Sequence, residues 1–137
     1  MNNALLDTDI ISYFLKGDEI VISNVSKYFS ENSLLNVSII SFYEIVSGLY
    51  YKDAQKQLNI FQNFILKHNL VLLSEKSSVI SGRLYAELRK SGNLIDDIDL
   101  LIAGIAIEND FLLITNNEKH FGIIPNLKIQ NWKSSVL

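Results

Sequence analysis

The chain contains no cysteine, which excludes disulfides, thiolate zinc sites and a cysteine nucleophile and makes a reducing cytoplasm its natural compartment. One proline and six glycines among 137 residues leave little material for long loops or disordered tails, so residues 1–137 are expected to fold as a single domain. No apolar run approaches the ~20 residues that cross a bilayer. The start, Met1-Asn2-Asn3-Ala4-Leu5-Leu6-Asp7, lacks the basic residues and long apolar segment of a signal peptide. A surplus of positive charge is also missing: 12 Lys and Arg stand against 15 Asp and Glu, for a net charge of −3 and a pI near 5.3. Nucleic-acid binders usually show a basic balance. Either the partner is not a polyanion, or a bound cation and a local basic patch overcome the global field.

What is present is a regular alternation of short apolar runs and helical periodicities. Ala4-Leu5-Leu6 reads as a strand that stops at Asp7-Thr8-Asp9, and Ile10, Ile11, Phe14 and Leu15 then recur at helical spacing. Asp18 opens a second helix (Ile20, Val21, Val25, Tyr28, Phe29) that ends near Glu31-Asn32, and Leu34–Val37 is a second strand. Ser41 stands three residues before Glu44, the capping-box pattern, ahead of Ile45, Val46, Leu49 and Tyr50. Asp53 begins a helix with Leu58, Phe61 and Phe64 on one face; Leu70–Leu73 is a strand; Ser74–Ser91 is a helix with Val79, Ile80, Leu84 and Leu88 inside. Gly92-Asn93 stops that helix, and Asp96 reads as the N-cap of the next, with Asp99 at its third position. Phe111–Thr115 is the clearest buried strand; a polar loop, Asn116–His120, and a short run at Lys128-Ile129 follow. Strands that are apolar throughout, alternating with helices, indicate an α/β fold with a central, mostly parallel sheet of 4–5 strands covered on both faces.

In such sheets ligands collect beyond the carboxyl ends of the strands. Asp7, Glu44, Asp99 and the Thr115/Asn117 pair all fall at that rim. Carboxylates crowded together repel one another, and a divalent cation removes the cost. Oxygen-only ligands suit Mg²⁺ or Mn²⁺, ions that polarise phosphoryl oxygens and activate water, so the natural reaction is phosphodiester hydrolysis. Acids at helix starts also have a structural use, since they offset the macrodipole. Asp9 is read as structural, Asp97 as solvated, and His120 as loop decoration rather than a general acid.

These residues carry a family resemblance. Leu5-Leu6-Asp7-Thr8-Asp9-Ile10 resembles the opening block of the PIN-domain ribonucleases, particularly the VapC toxins of prokaryotic toxin–antitoxin pairs. Ser41–Leu49 is similar to their second block, Asp99-Leu100-Leu101-Ile102-Ala103 to their third, and Ile114-Thr115-Asn116-Asn117 to their fourth. The resemblance implies a PIN-like three-layer fold and an Mg²⁺- or Mn²⁺-dependent endoribonuclease in which metal-activated water attacks the scissile phosphate. It further implies a homodimer inhibited by a cognate VapB-type antitoxin. By motif, Asp7, Asp99 and Glu44 would be metal ligands, with Asp96 a further member of the catalytic set and Thr115 and Asn117 orienting a carboxylate or the substrate phosphate. The fourth block departs from the pattern: many members carry an aspartate where this chain has Asn117 or His120, and the acid in that loop is Glu118. That departure leaves two other functions open, a PIN-fold module that binds RNA or a partner with weakened catalysis, and a nuclease of RNA processing that is not a toxin.

Overall fold

A computed structural model describes residues 3–31 and 34–135. In chain order it contains β1 (Ala4–Leu6), α1 (Thr8–Leu15), α2 (Glu19–Glu31), β2 (Asn36–Ser38), α3 (Ile39–Tyr51), α4 (Gln55–Leu66), β3 (Asn69–Val71), α5 (Glu75–Lys90), α6 (Asp97–Glu108), β4 (Leu112–Ile114), α7 (Glu118–Phe121) and β5 (Ile129–Gln130). The strands form one sheet in the order β3-β2-β1-β4-β5, parallel at every pairing. β1 is the central strand, and every residue in it is buried. Its side chains alternate between the two faces, as a strand's must: Ala4 and Leu6 join a core with Ile10, Val25, Phe61 and Trp132, while Leu5 joins a second core with Leu84, Ile102, Leu113 and Phe121. The result is the expected three-layer α/β arrangement. No helix among the described residues is long and apolar enough to cross a membrane.

The strand order has a direct consequence for where a ligand can sit. From β1 the chain winds outward through β2 and β3 on one side, then returns to place β4 and β5 on the other. The crevice beyond the carboxyl end of β1, where the winding reverses, is the switch point at which parallel sheets leave room for a ligand.

Local boundaries differ from the sequence reading in instructive ways. α3 begins at Ile39 because Ser38, not Ser41, is its cap: the Ser38 side chain accepts from the Ser41 N–H at 3.0 Å. The capping box is instead at α5, where Ser74 and Ser77 satisfy each other's backbone groups. α4 starts at Gln55 with no side-chain cap, and Asp53 sits in the connection at φ 54°. The third strand is Asn69–Val71, shifted toward the N-terminus, with Leu72 exposed beyond it, and Val79 faces solvent. Part of the expected polar loop is helical, as α7. The expected end of α2 at Asn32 lies outside the described residues.

α5 and α6 pack closely through small residues. Ser81 Oγ donates to the Leu100 carbonyl at 2.7 Å, and Gly104 of α6 lies against Ser81 and Ser77. A methyl group at position 104 would run into Ser81 Oγ and lie 2.6 Å from the Ser77 carbonyl oxygen. Gly104→Ala is therefore expected to destabilise the fold by about 1–3 kcal/mol despite the better helix propensity of alanine. Urea unfolding checks this; adding Ser81→Ala should recover only part of the loss, because the backbone contact remains.

Candidate active site

The pairing of β1 with β4 sets Leu6 beside Ile114, so the residues that follow, Asp7 and Thr115, leave the sheet side by side at the switch point. Asp7 caps α1 in an extended conformation and is 5% exposed. Both of its oxygens are engaged: Oδ1 accepts from the Thr8 N–H and Oδ2 from Thr115 Oγ1, each at 2.8 Å. Thr115 is itself fixed, its Oγ1 accepting from the Asn117 N–H at 2.9 Å.

Glu44 arrives from the second turn of α3 and is tied to the same place through Thr8. Thr8 Oγ1 lies 2.5 Å from Glu44 Oε1 and 2.9 Å from Ser41 Oγ. A hydroxyl carries one hydrogen, so Thr8 donates to the glutamate and accepts from Ser41. Asp99 comes from the first turn of α6 and is half-buried. His120 Nδ1 stands 3.9 Å from Asp99 Oδ2, beyond hydrogen-bond reach, and receives the Asn117 side-chain amide at 3.1 Å.

Burial, and after it charge repulsion, raises the pKa values of these carboxyl groups. Asp7 is pushed up to about 7, first by burial and then by the charge of Asp9, against the opposing bonds from Thr115 and Thr8. Asp99 is raised to about 6 by burial and by Asp7, Asp96 and Glu44, with His120 acting the other way. Asp9 is also raised, chiefly by burial, while the Asn116 N–H at 3.1 Å holds its Oδ2. Its Oδ1 is buried with no hydrogen-bond partner.

A divalent cation fits this set. The donors are carboxylate oxygens, burial and neighbouring charge raise the pKa values of Asp7 and Asp99, and the buried Oδ1 of Asp9 has no hydrogen-bond partner. Among the described residues no three acidic or imidazole groups close into a ready-made cage. Carboxylate oxygens suit ions such as Mg²⁺, which take one or two carboxylates and keep several waters.

The structure gathers Asp7, Glu44, Asp99 and Thr115, with Asn117 behind Thr115. Asp96 stands at the N-cap position of α6, but its side chain makes no capping bond and is exposed; its role here is the charge it exerts on Asp99. Asp97 is exposed as expected. Three contributors escaped the sequence reading. Thr8 was visible only as the middle of Asp7-Thr8-Asp9. Asp9, read as structural, is a half-buried carboxylate beside Asp7, with Oδ1 the inaccessible oxygen. Asn131 has no signal in sequence, yet its amide donates to Asn116 Oδ1 and Glu118 Oε2, both at 3.0 Å, so Glu118 braces the fourth corner. Asn116 also donates to the Tyr13 hydroxyl at 3.3 Å, which ties that corner to α1.

Residues 4–125 match the model of the PIN domain. The chain belongs to the PIN-domain family. It is 32% identical over 130 residues to the ribonuclease VapC2 of Rickettsia felis, an alignment covering 93% of this chain and 96% of that one. Among solved structures, it superposes on VapBC2 from Rickettsia felis bound to a promoter DNA fragment with a TM-score of 0.83 and 31% identity, covering 94% of this chain and 98% of the other. DNA-bound VapBC from Salmonella typhimurium gives a TM-score of 0.86 at 25% identity, covering 96% and 99%. The PIN fold in this chain therefore extends over the whole set of carboxylates just described.

The raised pKa of Asp7 makes stability depend on pH in a defined direction. In metal-free protein the folded state holds protons on Asp7 that the unfolded chain releases above about pH 4. Stability is therefore lost as pH rises from about 4 to about 7, and the full penalty stands above that window. Asp7→Asn should stabilise the metal-free protein relative to the parent by up to about 4 kcal/mol at pH 7.5, and by little at pH 4. Denaturant melts in EDTA at the two pH values check this, and a difference that does not change with pH contradicts it.

Proposed function

We propose that this PIN-domain protein is a divalent-metal-dependent endoribonuclease and the toxin of a VapBC-type toxin–antitoxin pair. The observation that carries the reading is the meeting of Asp7, Glu44 and Asp99, from three separate elements, at the switch point of a parallel sheet. Asp7, Asp99 and Glu44 would hold Mg²⁺ or Mn²⁺, with Asp96 adding charge from the rim. When bound, such an ion polarises a phosphoryl oxygen and lowers the pKa of water.

The rest of the chemistry belongs to the side chains. Thr8, itself held by Ser41, fixes one oxygen of Glu44, leaving the other to orient the attacking water and accept its proton. Thr115 aims Asp7, and its hydrogen bond favours the ionised form against the pull of burial. Asn117 steadies Thr115 through its backbone N–H, and its side-chain amide is engaged with His120. A cation held there would offset the carboxylates, so that the cluster could receive a polyanion that a chain of net charge −3 would otherwise repel.

Relatives described as ribonuclease VapC and solved as VapBC assemblies support an RNA substrate and a VapB-type antitoxin. We place the protein in the cytoplasm, as a homodimer in its active form. The lack of an aspartate at Asn117 and His120 favours a second reading, a binding module with weakened catalysis, and one experiment separates the two. The purified protein should cleave single-stranded RNA with Mg²⁺ and stop in EDTA, and Asp7→Asn or Asp99→Asn should lower the rate by at least about 10²-fold. Undiminished cleavage by Asp7→Asn would sink the site; no cleavage and no metal binding by calorimetry would leave the binding module. Growth arrest on expression, relieved by a neighbouring small gene, is the expected mark of the toxin.

A further inference from the structure

α1 and α3 lie side by side, joined at one end by the Thr8–Glu44 bond. Between them runs a cleft of about 110 Å³ that starts at Thr8 and Glu44, passes Ser12 and Gly48, and ends between Lys16 and Lys52. Both lysines follow their starting residues by eight positions, so at 1.5 Å per residue each ammonium root lies roughly 12 Å along its helix from the carboxylate cluster. Both are exposed, and neither forms an ion pair among the described residues. Each lysine offsets the negative end of its own helix. That accounts for a lysine on each helix but not for two of them facing one cleft. Gly48 keeps the middle open: a Cβ there would meet nothing within 4 Å.

We infer that this cleft is the path of the substrate RNA on one side of the scissile bond, with Lys16 and Lys52 binding a backbone phosphate. The inference rests on the nuclease reading above and extends it from the reacting phosphate to its neighbours. Charge complementarity selects the occupant. The protein is acidic overall and its site is a cluster of carboxylates, so a polyanion needs a local positive contact continuous with that site, and this cleft supplies one. Lysine serves here as a point charge for phosphate and reads no base. Ser12 and Gln57 are the neutral polar groups along the wall, and the Gln57 amide is already spent on the Leu15 carbonyl at 3.2 Å. The cleft is therefore a site for backbone rather than for sequence.

The test is the KM for cleavage of a fluorogenic single-stranded RNA at saturating Mg²⁺, measured over a range of salt. Lys16→Ala and Lys52→Ala should each raise KM severalfold and lower the salt slope of its logarithm by about 0.7, and Lys→Arg should restore both. Gly48→Leu, which fills the cleft without touching a charge or straining the helix, should raise KM as well. Lys76→Ala, on α5, serves as the control and should leave KM in place. Variants with the parent KM and slope, or an equal effect from Lys76→Ala, overturn the cleft while leaving the nuclease intact. A wild-type protein that cleaves no RNA overturns both readings. If the lysine variants keep their KM but escape inhibition by the antitoxin, the cleft belongs to a protein partner and the RNA assignment falls.

Discussion

The constraint on which this structure turns is a carboxylate taken out of water without a neutralising side chain. Asp7 is nearly inaccessible, and among the described residues no lysine or arginine pairs with it; its two hydrogen-bond donors are a backbone N–H and a threonine hydroxyl. Neutral donors offset only part of the desolvation cost of a charge. Asp9 and Asp99 then add repulsion. A fold selected for stability alone would place an asparagine or a leucine there. The surrounding elements make sense as means of keeping that charge in place: β1 and β4 paired in register, Thr115 buried at the strand end, and α1 capped by the carboxylate itself.

How the carboxylates are shared among elements explains what was legible in the sequence. Strand ends and helix starts carry strong local signals, so the α/β class, the parallel sheet, and the positions of Asp7, Asp99 and Thr115 could be read from apolar runs broken by acids. Glu44 was assigned to the rim for an imperfect reason. Its spacing from Ser41 mimics a capping box, but the helix starts earlier at Ser38, and Ser41 instead bonds Thr8. The serine three residues before the glutamate has a tertiary role that no local pattern expresses.

The fourth corner was the least legible part, because its order is made by residues distant in sequence. Glu118, the acid of that loop, is held by Asn131, and Asn116 is held by Asp9, Tyr13 and Asn131 together. Polar residues in a loop look interchangeable when read along the chain; the bonds that distinguish them span from 13 to 107 positions. The same holds for Gly104, whose missing side chain is explained only by the serines of α5 that approach it.

α1 is only eight residues long, yet it meets three of the four corners. Asp7 caps it, Thr8 on its first turn holds Glu44, and Asp9 and Tyr13 reach the Asn116 loop. It behaves like an axle with spokes at fixed angles. One residue inserted between Thr8 and Tyr13 would turn everything beyond it by about 100°, breaking the link to the fourth corner while the sheet stayed paired. The spacing within this short helix is therefore as binding as the identity of the acids, since the same turn would also move the buried Ile10 and Ile11 away from their places in the core.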